Sequence, residues 1–125
     1  MLACLAWGVG LAANSLVGHW QGAATVGGGS YAFDLVMQSN GTYVDTVRVG
    51  RIASTDSGTW KIVGGLLHFT VTDWEPKQQC FPPPTGCQPV PEPPGGLYRV
   101  QFLSPNAMRW QDVNYGGIVN YERAP

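Results

Sequence analysis

From residue 16 to residue 123 the chain is cut into short runs in which apolar and polar residues alternate, each ending at Gly, Asn, Asp, Ser or Pro. A period of two is the mark of a β-strand with one face buried and one solvated. No stretch holds the 3.6-residue period of an amphipathic helix, so the chain reads as all-β. Eight strands are expected, over 16–24, 30–37, 41–49, 57–63, 66–74, 96–103, 107–113 and 117–123. Alternation turns Trp20, the set Tyr31, Phe33, Leu35 and Met37, then Trp60, Ile62, Leu67, Phe69 and Val71 to one side. Tyr98, Val100, Phe102, Met108, Trp110, Val119, Tyr121 and Arg123 follow on the same side. The third strand is ambiguous, because Tyr43 and Val47 share a face with Asp45. Such clean alternation argues for antiparallel strands.

The connections fall into two kinds. Ser39-Asn40-Gly41, Gly64-Gly65 and Ser104-Pro105-Asn106 are tight hairpin turns, built from residues that tolerate or preset turn geometry. The spans 26–29, 50–56, 75–95 and 114–116 are expected to be loops, mostly longer ones. In an up-and-down barrel alternate connections lie at opposite ends, so the tight turns share one end and the loops the other. The first strand starts and the last strand finishes at the tight end. That brings Gly18 and Trp20 to Arg123, with the guanidinium stacked on the indole as a barrel plug. A cation–π contact of this kind contributes about 0.5–2 kcal/mol.

Gly18-x-Trp20, the aromatic second strand, Asn40-Gly41-Thr42-Tyr43, Ser57-Gly58-Thr59-Trp60 and the final Tyr121-Glu122-Arg123 occur in a fixed order. Together they resemble bacterial lipocalin-like domains of the calycin superfamily. The resemblance implies an eight-stranded antiparallel up-and-down barrel with one closed and one open end. It implies little about chemistry, because such barrels host many functions. The proline-rich insert between the fifth and sixth strands departs from the usual pattern.

Residues 1–15 read as a signal peptide, apolar and ending in the small residues Ala13-Asn14-Ser15, but without a positive n-region. The apolar run is too short to span a bilayer. An apolar segment packed on the domain is the alternative. Residues 16–125 then form a single barrel domain carrying the Pro-rich loop 75–95. If Cys4 leaves with the leader, Cys80 and Cys87 remain as an even pair and a disulfide is expected, which places the protein in the periplasm or outside the cell. A zinc site from this pair with His19 and His68 is disfavoured, since the cysteines lack C-x2-C spacing and the histidines lie on distant strands.

Charged residues are 12% of the chain and the net charge is −1, which gives no basic stripe for nucleic acid. Neither His19 nor His68 points inward by parity, so haem is not expected, and no cofactor or metal is called for. Asp45 and Asp112 could form an inward carboxylate pair, but inward charges near strand ends more often meet solvent. Ser30, Ser57 and Ser104 have no nucleophile context, and no enzyme is expected. So many inward rings leave little room in a barrel of this size, which favours a shallow pocket at the mouth over a deep cavity. Trp74, Phe81 and Tyr115 lie outside the core pattern, and chain direction puts all three at the open end. Exposed aromatics converging there suggest a contact surface, with a lid packed over the mouth as the alternative. A monomer binding a small apolar or aromatic ligand is the first expectation. The second is an interaction or inhibitor module presenting the disulfide-pinched loop to a protein partner. Small periplasmic protease inhibitors of similar barrel type use an extended N-terminal segment, and cleavage near Ser15 would leave almost none.

Overall fold

The computed structural model describes residues 11–125. It is an all-β structure with one helical turn, α1 (Ala13–Leu16), and ten strands. The strands are β1 (Gly18–Val26), β2 (Gly29–Met37), β3 (Thr42–Val49), β4 (Ile52–Val63), β5 (Leu66–Glu75), β6 (Gln78–Phe81), β7 (Gly86–Pro89), β8 (Gly96–Ser104), β9 (Ala107–Asp112) and β10 (Ile118–Arg123). Eight of them close a barrel in the order β1-β10-β9-β8-β5-β4-β3-β2, with every pair antiparallel. The other two, β6 and β7, pair only with each other. The expected eight-stranded up-and-down barrel is thus the observed one.

Residues 1–10, with Cys4 and most of the expected leader, lie outside the described residues. The first strand starts two residues later than expected. Leu16 instead ends α1 and is fully buried beneath the barrel, where its carbonyl accepts the Trp20 indole N–H at 2.9 Å. The floor is therefore a layer of Leu16, Trp20, Leu35, Met37, Leu67 and Met108, each at most 1% exposed. Arg123 lies across it with its guanidinium carbon 4.2 Å from the Trp20 ring centre. Its Nη1 donates to the Val17 carbonyl at 2.9 Å, and Nη2 to those of Ser15 and Pro105 at 3.3 and 3.2 Å. Gly18 makes room for this, since its φ is +141° and a Cβ there would collide with Arg123 Nη1.

Two expected loops prove to be tight turns. Gly27 and Gly28 alone join β1 to β2, and Gly50 and Arg51 alone join β3 to β4. Residues 52–56 are strand, because each continues the ladder on β3, from Val49↔Ile52 to Asp45↔Asp56. The long excursions from the open end are the insert between β5 and β8 and the connection between β9 and β10. A register shift at Ser57/Gly58 leaves Thr72 of β5 without an opposite residue. Such an extra residue bends a strand and re-aims the side chains beyond it. Gly58 permits it, since a Cβ there would collide with the Thr70 carbonyl oxygen. Beyond the shift Trp74 stands opposite Asp56.

The seam between β5 and β8 is the weakest part of the wall. It holds three register pairs, Leu67↔Tyr98, His68↔Leu97 and Phe69↔Gly96, against nine between β1 and β2. Above it the Pro93-Pro94-Gly95 run lies alongside Phe69, Thr70 and Val71 in place of a paired strand.

Candidate ligand-binding cavity

Above the floor the inner face carries rings in contact. Tyr43 meets Phe69 edge-on at 4.6 Å, Phe69 lies 5.4 Å from Trp110, and Trp110 lies 5.1 Å from Tyr98 and 4.7 Å from Tyr121. Toward the open end the inward positions become small, with Ala24, Val47, Val71, Gly96 and Gly117. The change in size opens a cavity of about 620 Å³ at that end. The expectation favoured a shallow pocket at the mouth over a deep cavity; the lining of the opening found there reaches Leu35 of the floor. The rings of Tyr43, Phe69, Tyr98, Trp110 and Tyr121 sit against one another and line the cavity.

Three carboxylates line this cavity, from Asp45, Asp56 and Asp112. Asp45 stands opposite Asp56 on the neighbouring strand. Burial, reinforced by the charges of Asp56 and Asp34, pushes the Asp45 carboxyl up to about 7. Its Oδ1 is shut off from solvent and has no hydrogen-bond partner among the described residues. Asp56 accepts the Tyr43 hydroxyl at 2.7 Å. Burial still raises Asp56, although that hydrogen bond favours its charged form. Desolvation likewise holds the Tyr43 and Tyr121 phenols above their ordinary range and lifts Tyr98 to about 12, so all three are neutral donors at neutral pH.

Asp112 does a different job. Its Oδ1 accepts the backbone N–H of Asn114 at 2.8 Å and of Tyr115 at 2.9 Å, which shapes the turn into β10. The neighbour of Asp45 is therefore Asp56, from the span 50–56 expected to be a loop. Inward parity carried back from Trp60 through Gly58 would have found it.

The three mouth aromatics are placed apart from the cavity lining. Trp74 is half-buried at the base of the insert, where its indole N–H donates to the Val90 carbonyl at 3.0 Å and Lys77 Nζ sits 4.6 Å from the ring centre. Phe81 ends β6 and is 49% exposed; Tyr115 is 86% exposed in the β9–β10 turn. No two of these rings stack among the described residues. Cys80 and Cys87 form the expected disulfide and face each other across the β6–β7 hairpin. The prolines after it, Pro93 and Pro94, line the cavity. His19 points outward and its Nε2 lies 2.7 Å from Asp34 Oδ1, on the barrel exterior.

Fold and site together define a closed eight-stranded antiparallel barrel with an aromatic, acid-bearing cavity at one end. No family model matches the chain, and no curated protein matches it.

Proposed function

We propose that the protein is a non-enzymatic binding module of the lipocalin-like, calycin type that takes one small apolar or aromatic ligand in the open end of its barrel. The observation that carries this reading is the cavity of about 620 Å³ with its walls of Phe, Tyr, Trp and Val. Small-molecule sites are commonly concave, mainly apolar and of about 300–1,000 Å³, with a few placed polar groups. The Cys80–Cys87 disulfide supports a periplasmic or secreted setting.

A fluorescence titration with the neutral apolar probe N-phenylnaphthylamine tests it. Saturable enhancement is expected, and Ala24→Trp, which fills the cavity, should remove it. Phe81→Ala and Tyr115→Ala should change the affinity by less than about twofold, as for exposed positions away from the site. A probe that does not saturate, or that binds Ala24→Trp unchanged, contradicts the reading. A second reading is a protein-docking module, favoured by the disulfide-closed hairpin whose β6 residues are all exposed. Loss of probe binding in Phe81→Ala would move the site to that hairpin.

A further inference from the structure

We propose that the cavity selects protonated amines carried on an apolar or aromatic body, with Asp45 accepting the ammonium N–H. This deepens the binding reading above and rests on it.

The charged side chains of the cavity lining are Asp45, Asp56 and Asp112, and none of the lining residues is Lys, Arg or His. The three acids are not equivalent. Asp112 Oδ1 is engaged by two backbone N–H groups of its own turn. Asp56 Oδ2 is engaged by the Tyr43 hydroxyl. Asp45 Oδ1 has no donor among the described residues and is closed to solvent, the open cavity included, so a ligand N–H meets it once the side chain turns. A buried acceptor without a donor is costly to keep, so a ligand that brings an N–H gains what the protein has left unmade. A neutral hydroxyl would also satisfy this oxygen. Only a cation would in addition offset the repulsion between Asp45 and Asp56, and a charge-assisted bond is roughly twice as strong as a neutral one. The rings of Phe69, Tyr98, Trp110 and Tyr121 line the same cavity, and a ring face turned to a bound cation attracts it as well. An anionic ligand would meet three carboxylates.

The groups facing Asp45 fix the sign of the pH dependence. They are Tyr43 on its own strand, Asp56 on β4, Tyr98 on β8, Asp112 on β9 and Tyr121 on β10, with the charge of Asp34 on β2 acting from the outer face. Asp34 is turned outward to His19. None of these supplies a positive charge to the cavity side. Burial therefore keeps Asp45 protonated until about 7, and an ammonium must displace that proton. Amine binding strengthens as pH rises through this value.

Calorimetric titration with three indoles that share one ring system separates the alternatives: tryptamine, a cation; skatole, neutral; and indoleacetate, an anion. At about pH 8, above the value for Asp45, tryptamine should bind at least about tenfold more tightly than skatole, and indoleacetate most weakly. At about pH 5.5 the tryptamine preference should fall toward equality. Asp45→Asn should cut the tryptamine-to-skatole ratio at about pH 8 by about tenfold and remove its change between the two pH values. The pH series on the unaltered protein gives an answer even if that variant does not fold. Equal affinities at the higher pH, or a ratio and pH dependence that survive unchanged in folded Asp45→Asn, would overturn the amine assignment while leaving the cavity reading intact. Failure of tryptamine, skatole and N-phenylnaphthylamine alike to bind would overturn both.

Discussion

Arg123 shows how much one residue can organise. Its guanidinium covers the Trp20 ring and reaches three backbone carbonyls, those of Ser15, Val17 and Pro105, which belong to two separate stretches of chain. A planar fork with five donors suits this arrangement, and the ammonium of lysine would not reproduce it. Trp20 is fully buried and its indole N–H is spent on Leu16. Trp20→Ala should cost about 3–5 kcal/mol, the range for a large aromatic lost from a core. Arg123→Ala should cost less, and the double variant should fall short of the sum by about 0.5–2 kcal/mol. Chemical denaturation of the four proteins gives this coupling directly. Strictly additive losses would mean that the stacked geometry contributes nothing.

Among the elements, β6 and β7 are the most separable. They pair with each other, are bridged by Cys80–Cys87, and share no ladder with the barrel. Closing so short a loop contributes about 2–3 kcal/mol in the chain-entropy view, and here that gain is local. Reduction should therefore lower the melting temperature by less than about 8 °C and leave the near-ultraviolet signal of the barrel tryptophans in place. Loss of that signal on reduction would show that the hairpin holds the wall up. The elements also show where the sequence was readable. Inside–outside alternation in β2, β5, β8 and β9 names the buried residues directly, because side-chain direction follows parity. The disulfide followed from cysteine count, and the pairing of Trp20 with Arg123 from connection parity. The start of β4 was legible only by carrying parity back from Trp60, because Ser54, Thr55 and Asp56 look like turn residues until the partner strand is known. The register shift at Thr72 was equally hidden, since it reverses parity inside one strand. The cavity was missed for a different reason. Alternation says which side a ring is on, but how the rings lean against each other depends on barrel width and stagger.

At the scale of the whole molecule the barrel is unevenly closed. Seven of the eight walls are ladders of at least four register pairs, and the β5–β8 wall has three, with the Pro93-Pro94-Gly95 run laid beside it. Local opening follows the least-paired backbone. The amides joining Leu67–Phe69 to Gly96–Tyr98 should exchange with solvent at least about tenfold faster than those between β1 and β2. Uniform protection around the ring would show that the proline run seals the wall as firmly as a strand. The β1–β10 wall is different again. It is built from residues far apart in the chain, and the bond from Arg123 to Val17 spans 106 positions. Bringing such distant segments together costs about 4 kcal/mol of chain entropy beyond a fixed term. Were the β1–β10 wall to part, the same strands would form an open, curled sheet with two bare margins. Each margin is a row of unpaired N–H and C=O groups that can template a strand from another molecule. The clasp on Trp20 is thus a guard against aggregation, and its worth would be felt most in a crowded solution.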